Sequence, residues 1–140
     1  MTTVVDASVV VDWVAPDLAP AAPALVLLDR LAAAGEPLAA PELLILEVGN
    51  ALLTGIRRGR WNGAEADAAY AHLRSLPIML YAVAADVDRA FELSRRYDEH
   101  PAYDMVYVAL AERLSTSLVT ADTRLLERLR HVPYVVGVAG

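Results

Sequence analysis

The sequence predicts an α/β fold of three layers, in which helices cover both faces of a mostly parallel sheet of four to five strands. The main observation is that short apolar segments of strand length alternate along the chain with longer segments of helical periodicity. This alternation is typical of parallel strands joined by crossover helices. The chain also contains no internal repeat and no long linker, so we expect a single domain over residues 1–140.

The individual elements follow from the apolar patterning. The strand-like segments lie near residues 2–5, 37–40, 78–81, 117–120 and 134–136. The helical patterns lie near residues 9–14, 21–34, 42–58, 64–76, 84–97, 103–114 and 123–130.

Proline and glycine mark several element ends. Pro16, Pro20 and Pro23 indicate a loop between the first two helices. Gly35 follows the last apolar residue of the second helix, as a helix C-terminus often requires. Pro41 closes a short apolar run, which favours a brief strand at an edge of the sheet.

The composition excludes several classes of protein. Cysteine is absent, which excludes disulfides, zinc thiolate sites and thiol catalysis and fits a cytoplasmic protein. All 12 basic residues are arginine, so the lysine that a P-loop requires is missing. No apolar run is long enough to span a membrane, and the N-terminus lacks the basic region of a signal peptide. The net charge of -6 argues against a broadly basic surface, but not against a local arginine patch or an acidic metal site.

Four acidic residues stand where an active site can form. Asp6 and Asp122 each end an apolar strand and open a helix, which puts them at the carboxyl edge of the sheet, where α/β folds bind ligands. Glu47 interrupts an otherwise apolar helix. Asp104 is the lone early acid of the nearly apolar helix near residues 103–114.

Each of these acids also has a plainer interpretation. Asp6 and Asp122 are good helix N-caps. Glu47 suits a solvated helix face, and Asp104 is favoured by the helix dipole. If the four acids meet, however, their carboxylates repel each other unless a cation balances them. An all-oxygen donor set suits Mg²⁺ or Mn²⁺, and such an ion activates water for phosphodiester hydrolysis.

Four motifs follow each other along nearly the whole chain. They are V-V-D-A-S-V at 4–9, P-E-L-L-I-L-E-V-G-N-A-L at 41–52, A-Y-D-M-V-Y-V-A-L-A at 102–111 and L-V-T-A-D-T-R-L at 118–125. In this order and spacing they resemble the PIN-domain ribonucleases, specifically the VapC-type toxins of toxin–antitoxin pairs. The resemblance implies a PIN-like form of the three-layer fold.

The resemblance also implies the roles of the acids. Asp6, Glu47, Asp104 and Asp122 would form the catalytic site, and all but Glu47 would hold Mg²⁺, with Mn²⁺ as a substitute. Glu47 would bind a second ion or orient the attacking water. The chain would then cleave RNA as a metal-dependent nuclease, act as a homodimer and be blocked by the C-terminal segment of an antitoxin.

Other positions match those that support the acids in the family. Ser8 and Thr120 match positions whose hydroxyls support the site, and Asn50 resembles a similar helper. Asp12 is a departure, because many relatives carry lysine or another residue there. We expect Asp12 to add negative charge near the mouth of the site.

RNA requires positive charge, and the densest basic stretch is at residues 57–61. We predict that Arg57, Arg58 or Arg60 contacts phosphates, with Arg124 as another candidate. The alternative is a solvated helix end, where arginines suit the helix dipole.

The third and fourth helices carry generous apolar faces. These faces suit a twofold interface, and ordinary core packing is the alternative. The candidate interface residues are Leu52, Leu53, Ile56, Tyr70 and Leu73.

Two other functions stay open. One is a non-catalytic α/β binding module, in which the acids are caps and surface groups. The other is a different Mg²⁺-dependent nuclease or phosphoesterase, although the missing lysine weighs against a phosphatase. His72, His100 and His131 have no metal-site or triad spacing, so we expect surface or loop positions for them.

Overall fold

The centre of the structure is a parallel sheet, seen in a computed structural model that describes residues 2–139. Its strands are β1 (Thr3–Val5), β2 (Leu38–Pro41), β3 (Ile78–Tyr81), β4 (Leu118–Thr120) and β5 (Val135–Gly137). The order across the sheet is β3-β2-β1-β4-β5, and every neighbouring pair is parallel. The predicted fold class is therefore confirmed, with all of the predicted strands present.

Helices connect the strands in the predicted order. They are α1 (Ala7–Val14), α2 (Pro23–Ala33), α3 (Leu43–Arg57), α4 (Gly63–Ser75), α5 (Val87–Arg96), α6 (Ala102–Arg113) and α7 (Thr123–Arg128), with a 3₁₀ turn at Val83–Ala85 before α5. Within residues 2–139, none of these helices has the length and apolar character that crossing a membrane requires.

The chain reverses its direction across the sheet after β3. It runs outward from β1 through β2 to β3, and then crosses back to β4 on the other side of β1. Right-handed crossovers therefore put α1 to α4 on one face, where they pack together, and α5 and α6 on the opposite face. The gap between the carboxyl ends of β1 and β4 is the switch point at which open α/β sheets bind ligands.

The structure confirms the predicted end of α2 and contradicts the predicted position of β2 in the sheet. Gly35 has φ +64, and the N–H of Glu36 donates to Leu31 O at 3.0 Å, so α2 ends on a left-handed glycine as predicted. The predicted edge strand is wrong, because β2 lies between β1 and β3. Proline is tolerated there because Pro41 is the last residue of β2 and lies beyond the pairs that β2 makes with β1.

The basic stretch after α3 folds back onto the core. Trp61 is 5% exposed, and its Nε1–H donates to Leu52 O at 2.8 Å. Its ring lies so close to Gly55 that a Cβ there would fall 2.1 Å from ring carbons. Glycine at position 55 is therefore a packing requirement, and Trp61 is a core side chain.

Candidate active site

Asp6 is both the N-cap of α1 and a buried acid at the switch point. Its side chain is 6% exposed. The Oδ2 atom accepts hydrogen bonds from Ser8 Oγ at 2.6 Å, from Thr120 Oγ1 at 2.9 Å and from Ser8 N at 3.4 Å. The Oδ1 atom accepts no hydrogen bond from the described residues and keeps contact with solvent. The two interpretations of Asp6, cap and site acid, are therefore compatible.

The hydroxyls of Ser8 and Thr120 join the ends of β1 and β4. Besides donating to Asp6, Ser8 Oγ accepts the N–H of Ala121 at 2.9 Å and Thr120 Oγ1 accepts the N–H of Asp122 at 3.0 Å. Each hydroxyl has a single proton, which it donates in the hydrogen bond to Asp6. The 3.2 Å contact between the two hydroxyl oxygens is therefore a packing contact. The Asp6 carboxylate is therefore held in one orientation.

Asp122 is the N-cap of the short helix α7. Its Oδ1 accepts the N–H of Arg124 at 2.9 Å and that of Leu125 at 3.2 Å. The side chain is only partly buried. The negative charge of Asp122 nevertheless acts on Asp104, because it is one of the causes that raise the pKa of Asp104.

Glu47 on α3 meets Tyr107 on α6. The buried Tyr107 donates its O–H to Glu47 Oε1 at 2.6 Å. Burial raises the pKa of Glu47 to about 7; the hydrogen bond from Tyr107 lowers it, and the charges of Asp6 and Asp104 raise it further. Tyr107 is therefore a core side chain that also makes a polar contact with Glu47.

Asp104 on α6 meets His100, which precedes the helix. The Nε2 atom of His100 lies 2.7 Å from Asp104 Oδ2. His100 lies in the loop before α6, which confirms the predicted loop position, although its side chain is only 8% exposed. The signal in the sequence is the spacing of four residues, which brings two side chains together at the start of a helix.

Burial and mutual repulsion act together on the acids. Burial raises the pKa of Asp6, which its hydroxyl partners lower and the charge of Asp104 raises. Burial also raises the pKa of Asp104, which its bond to His100 lowers and the charge of Asp122 raises. Together with Glu47, the acids thus form one electrostatically coupled group at the carboxyl edge.

The four acids, Asp6, Glu47, Asp104 and Asp122, do not form a preassembled metal site. Among residues 2–139, no three Asp, Glu or His side chains stand close enough together to hold one ion. The physical reason is that like charges repel, while Asp6, Glu47, Asp104 and Asp122 each turn one oxygen to a donor of the protein. The three-ligand set predicted from the resemblance therefore stays a prediction.

Within residues 2–139, the side chains of Asn50 and Asp12 make no hydrogen bond to the acids. Asn50 is exposed and lines an apolar groove of about 520 Å³ between α3 and α4. Burial raises the pKa of Asp12, which the charge of Arg60 lowers and that of Asp17 raises. Asp12 is therefore close enough to Arg60 and Asp17 for their charges to act on it.

The predicted RNA-binding arginines differ in their surroundings. Arg60 makes two hydrogen bonds with Asp17, at 3.1 and 3.2 Å, and its guanidinium lies 4.6 Å from the centre of the Trp61 ring. Arg57 donates to Thr54 Oγ1 at 2.9 Å, and the neighbouring Arg58 is exposed.

Arg124 instead lines a cleft of about 1020 Å³ that includes Asp104 and Asp122. The cleft is also lined by aromatic and basic side chains, which are His100, Tyr103, Arg128, Arg130 and His131. Of the four predicted arginines, Arg124 is therefore the one beside the acids.

The apolar residues predicted for a dimer interface divide into two groups. Leu52 and Leu73 are each 2% exposed, so these two are core residues and the interface prediction is wrong for them. Leu53, Ile56 and Tyr70 are 55%, 37% and 43% exposed and line the groove between α3 and α4. Helical periodicity alone does not distinguish the two groups, because α3 and α4 each bury one side and expose the other.

Comparison with known proteins identifies the family. The PIN domain model matches residues 3–132. VapC ribonuclease Mb0985 of Mycobacterium bovis and ribonuclease VapC9 of Mycobacterium tuberculosis are each 37% identical over 92 residues, which is 66% of this chain and 70% of theirs. The crystal structure of PAE2754 from Pyrobaculum aerophilum matches with a TM-score of 0.72 and 25% identity, over 99% of this chain and 84% of that one.

The chain therefore belongs to the PIN domain family. Within it, the relatives carry the name VapC ribonuclease, which confirms the VapC-type resemblance seen in the motifs.

Proposed function

We propose that this chain is the ribonuclease toxin of a toxin–antitoxin pair, a divalent-metal-dependent endonuclease that hydrolyses RNA phosphodiester bonds at the acidic edge. The observation that carries the proposal is that Asp6, Glu47, Asp104 and Asp122, which come from four separate elements, act on one another electrostatically: the charge of Asp104 raises the pKa values of Asp6 and Glu47, and that of Asp122 raises the pKa of Asp104. The names of the VapC relatives support the substrate class.

The residues fit a hard divalent cation. Each of the four carboxylates has a second oxygen that accepts no hydrogen bond from residues 2–139. Burial, and after it the charges of neighbouring acids, raise the pKa values of Asp6, Glu47 and Asp104, and a bound cation would offset both effects. Asp6, Asp104 and Asp122 would hold Mg²⁺, or Mn²⁺ in its place, and the ion would supply charge neutralisation and an activated water.

The protein side chains orient the reaction. Asp6 is held rigidly by Ser8 and Thr120 and cannot swing out of the site. Glu47 keeps Oε1 on Tyr107, so its Oε2 is free to accept a proton from the attacking water. A carboxylate with a pKa of about 7 is suited to take up a proton near neutral pH.

Hydrolysis of this kind breaks the bond between phosphorus and the 3′-oxygen. The water oxygen attacks the phosphorus in line, and the leaving 3′-oxygen takes a proton. The products are a 5′-phosphate and a 3′-hydroxyl, and the RNA 2′-OH is not the nucleophile. A cyclic phosphate product, or full activity in EDTA, would contradict this mechanism.

RNA binding is proposed for the cleft beside the acids. Arg124 lines it together with Asp104 and Asp122, so a phosphate held by Arg124 would lie next to the acidic edge. Arg57, Arg58 and Arg60 remain candidates for more distant phosphates. Charge reversal of a contacting arginine should weaken RNA binding and flatten its salt dependence.

The proposal includes an antitoxin and a homodimer as partners and a cytoplasmic location. The VapC names support the antitoxin, and the exposed side chains of Leu53, Ile56 and Tyr70 support an apolar contact on α3 and α4. Sizing at micromolar concentration tests the dimer, and a monomer there would contradict it.

The deciding experiment is induction in cells of the wild type, Asp6→Asn and Asp29→Asn. Asp29 is an exposed acid on α2, so its variant is the matched control. We expect growth arrest with discrete RNA cleavage for the wild type and Asp29→Asn, and neither for Asp6→Asn. Arrest by Asp6→Asn without cleavage would favour the non-catalytic binding module, and equal cleavage of DNA by the purified protein would favour a different nuclease.

A further inference from the structure

His100 is a buried polar side chain in contact with an acid of the proposed site. Its Nε2 atom lies 2.7 Å from Asp104 Oδ2, and the side chain is 8% exposed. A carboxylate oxygen only accepts hydrogen bonds, so Nε2 carries the proton and donates it. The imidazole therefore occupies one oxygen of Asp104 and leaves Oδ1 without a hydrogen bond from the described residues.

The chain before α6 adopts an uncommon conformation that brings His100 to Asp104. Asp98 and Glu99 have φ values of 59° and 54°, in the left-handed region that non-glycine residues rarely adopt. Arg128 of α7 donates to the carbonyls of Tyr97 and Asp98, each at 3.3 Å, and so holds this turn. The turn and the helix start together place the imidazole over the carboxylate.

Among the residues that the structure describes, His100 alone makes a hydrogen bond to the Asp104 carboxylate. The N-cap of α6 is Pro101, which makes no side-chain hydrogen bond, and Asp104 accepts no other side-chain bond within residues 2–139. The negative charge of Asp122 raises the pKa of Asp104, and that of Asp104 raises the pKa of Asp6, so these carboxylates repel one another. Without the imidazole, this repulsion would favour rotation of the carboxylate away from the acidic edge.

We propose that His100 is a positioning residue for Asp104, which holds Oδ2 so that Oδ1 faces the acidic edge and is available to a divalent cation. Hydrogen bonds to the ligands of a metal site orient those ligands and raise the affinity of the site. This inference rests on the proposed function, because it assumes that Asp104 binds metal.

The test compares two replacements of His100 with a remote control. His100→Leu removes the donor while keeping much of the volume, and His100→Gln keeps an N–H donor. His72→Leu, on the exposed side of α4, is the control. The measurements are Mn²⁺ binding to metal-free protein by calorimetry, thermal unfolding in EDTA, and kcat and KM on a single-stranded RNA.

We expect His100→Leu to lower Mn²⁺ affinity about tenfold to a hundredfold and to lower kcat with little change in KM. His100→Gln should recover most of both, and His72→Leu should match the wild type. If His100→Leu does not fold, His100→Asn replaces it, because the shorter amide does not reach Asp104.

Two outcomes overturn the inference in distinguishable ways. Wild-type Mn²⁺ affinity in His100→Leu, with only a lower unfolding temperature, would make His100 a structural contact of α6. A wild type that neither binds Mn²⁺ nor cuts RNA would overturn the proposed function itself, and the role of His100 with it.

An independent observation concerns Tyr103 on the first turn of α6. Residues 105–111 of this helix are at most 4% exposed, whereas Tyr103 is 55% exposed. The ring lines the cleft beside Asp104, and Arg124 and Arg130 line the same cleft. The cleft thus combines an exposed aromatic face, basic side chains and two of the proposed catalytic acids, Asp104 and Asp122.

The structure assigns Tyr103, on this basis, as a stacking site for a base of single-stranded RNA next to the phosphate held at the acidic edge. Proteins bind unpaired bases by stacking them on aromatic rings while basic side chains follow the phosphates. This assignment also rests on the proposed function, because it assumes an RNA substrate.

The test measures binding of a single-stranded RNA by fluorescence anisotropy in EDTA, where the proposed reaction does not run. We expect Tyr103→Ala to weaken binding about tenfold with an unchanged salt slope, and Tyr103→Phe to bind like the wild type. Phe91→Ala is the matched control, because Phe91 is 63% exposed on α5 and does not line the cleft.

Binding by Tyr103→Ala within twofold of the wild type would overturn the assignment. A wild type that does not bind the RNA with or without Mn²⁺ would overturn the proposed function and, with it, the stacking site.

Discussion

The two strand-to-helix junctions of the site have the same local pattern and different surroundings. At both, an apolar strand ends, an aspartate with extended backbone caps the next helix, and the side chain accepts a backbone N–H. Asp6 is 6% exposed and is held by two hydroxyls, whereas Asp122 is partly exposed and bonds only to backbone N–H groups of α7.

The position of each junction in the sheet explains the difference. The strand before Asp6, β1, is the central one, and the helix that follows it packs beneath α2, α3 and α4. The strand before Asp122, β4, neighbours the edge strand, and α7 is only 6 residues long. The same pattern therefore produces a buried acid with two hydroxyl partners at one junction and a partly exposed helix cap at the other.

The largest expected effect is the loss of activity in Asp6→Asn. The amide keeps the cap but cannot supply a negatively charged ligand. We therefore expect the rate of cleavage to fall roughly a thousandfold, which corresponds to a loss of about 4 kcal/mol of transition-state stabilisation. Asp122→Asn should lose less, because its carboxylate is less confined. Initial rates on one RNA substrate measure both variants, and equal losses would break the distinction between the junctions.

The next effect concerns the hydroxyl that links the two junctions. Thr120→Val removes the donor to Asp6 and the acceptor for the N–H of Asp122. Asp6 then keeps only its hydrogen bonds from Ser8, and the N–H of Asp122 loses its acceptor, so we expect the free energy of unfolding to fall by about 1–3 kcal/mol, with a lower kcat. Urea unfolding measures it, with the exposed Thr123→Val as the control. Wild-type stability and kcat would mean that Asp6 needs no such support.

Glu47 extends the comparison to an acid that a helix carries. Its pKa of about 7 in the folded protein lies above the ordinary value of 4.5, so folding favours the protonated form. The stabilisation is therefore complete below about pH 4.5 and is lost as the pH rises through 7. Because the side chain is only half-buried, we expect the loss to be on the order of 1 kcal/mol.

Unfolding of metal-free protein between pH 4.5 and 8 measures this effect in the wild type and Glu47→Gln. Asp6 and Asp104 contribute in the same direction in both proteins, because their pKa values are also raised. The variant should therefore lose less stability than the wild type over this range. Parallel curves would show that Glu47 titrates at its ordinary pKa.

The smallest effect is the loss of the α7 cap. Asp122→Ala leaves the N–H groups of Arg124 and Leu125 without their acceptor, which should cost about 1 kcal/mol, whereas Asp122→Asn should cost only a few tenths. Hydrogen exchange of α7 amides measures the difference. Equal protection in both variants would mean that the cap does not stabilise α7.

Most of the fold could be predicted from the sequence, including the strand ends at which Asp6 and Asp122 lie. The strands and helices follow from the period of their apolar residues, and the reversal of direction after β3 puts Asp6 and Asp122 at neighbouring strand ends. Ser8 and Thr120, which the motifs singled out, donate hydrogen bonds to Asp6, and their role in the site stays a prediction.

Contacts between distant elements could not be predicted. The O–H of Tyr107 reaches Glu47 across 60 positions of sequence, and Arg60 pairs with Asp17 across 43. Leu52 and Leu73 become core only because α3 and α4 pack against each other and against α1.

The sequence by itself determined which segments form strands and helices and which acids end or interrupt them, because these properties depend on local spacing and residue type. Only the tertiary structure decided that Asp6 is buried while Asp122 remains partly exposed, and that His100 donates to Asp104. Burial and electrostatic coupling depend on which elements the crossovers bring together, and no local pattern carries that information.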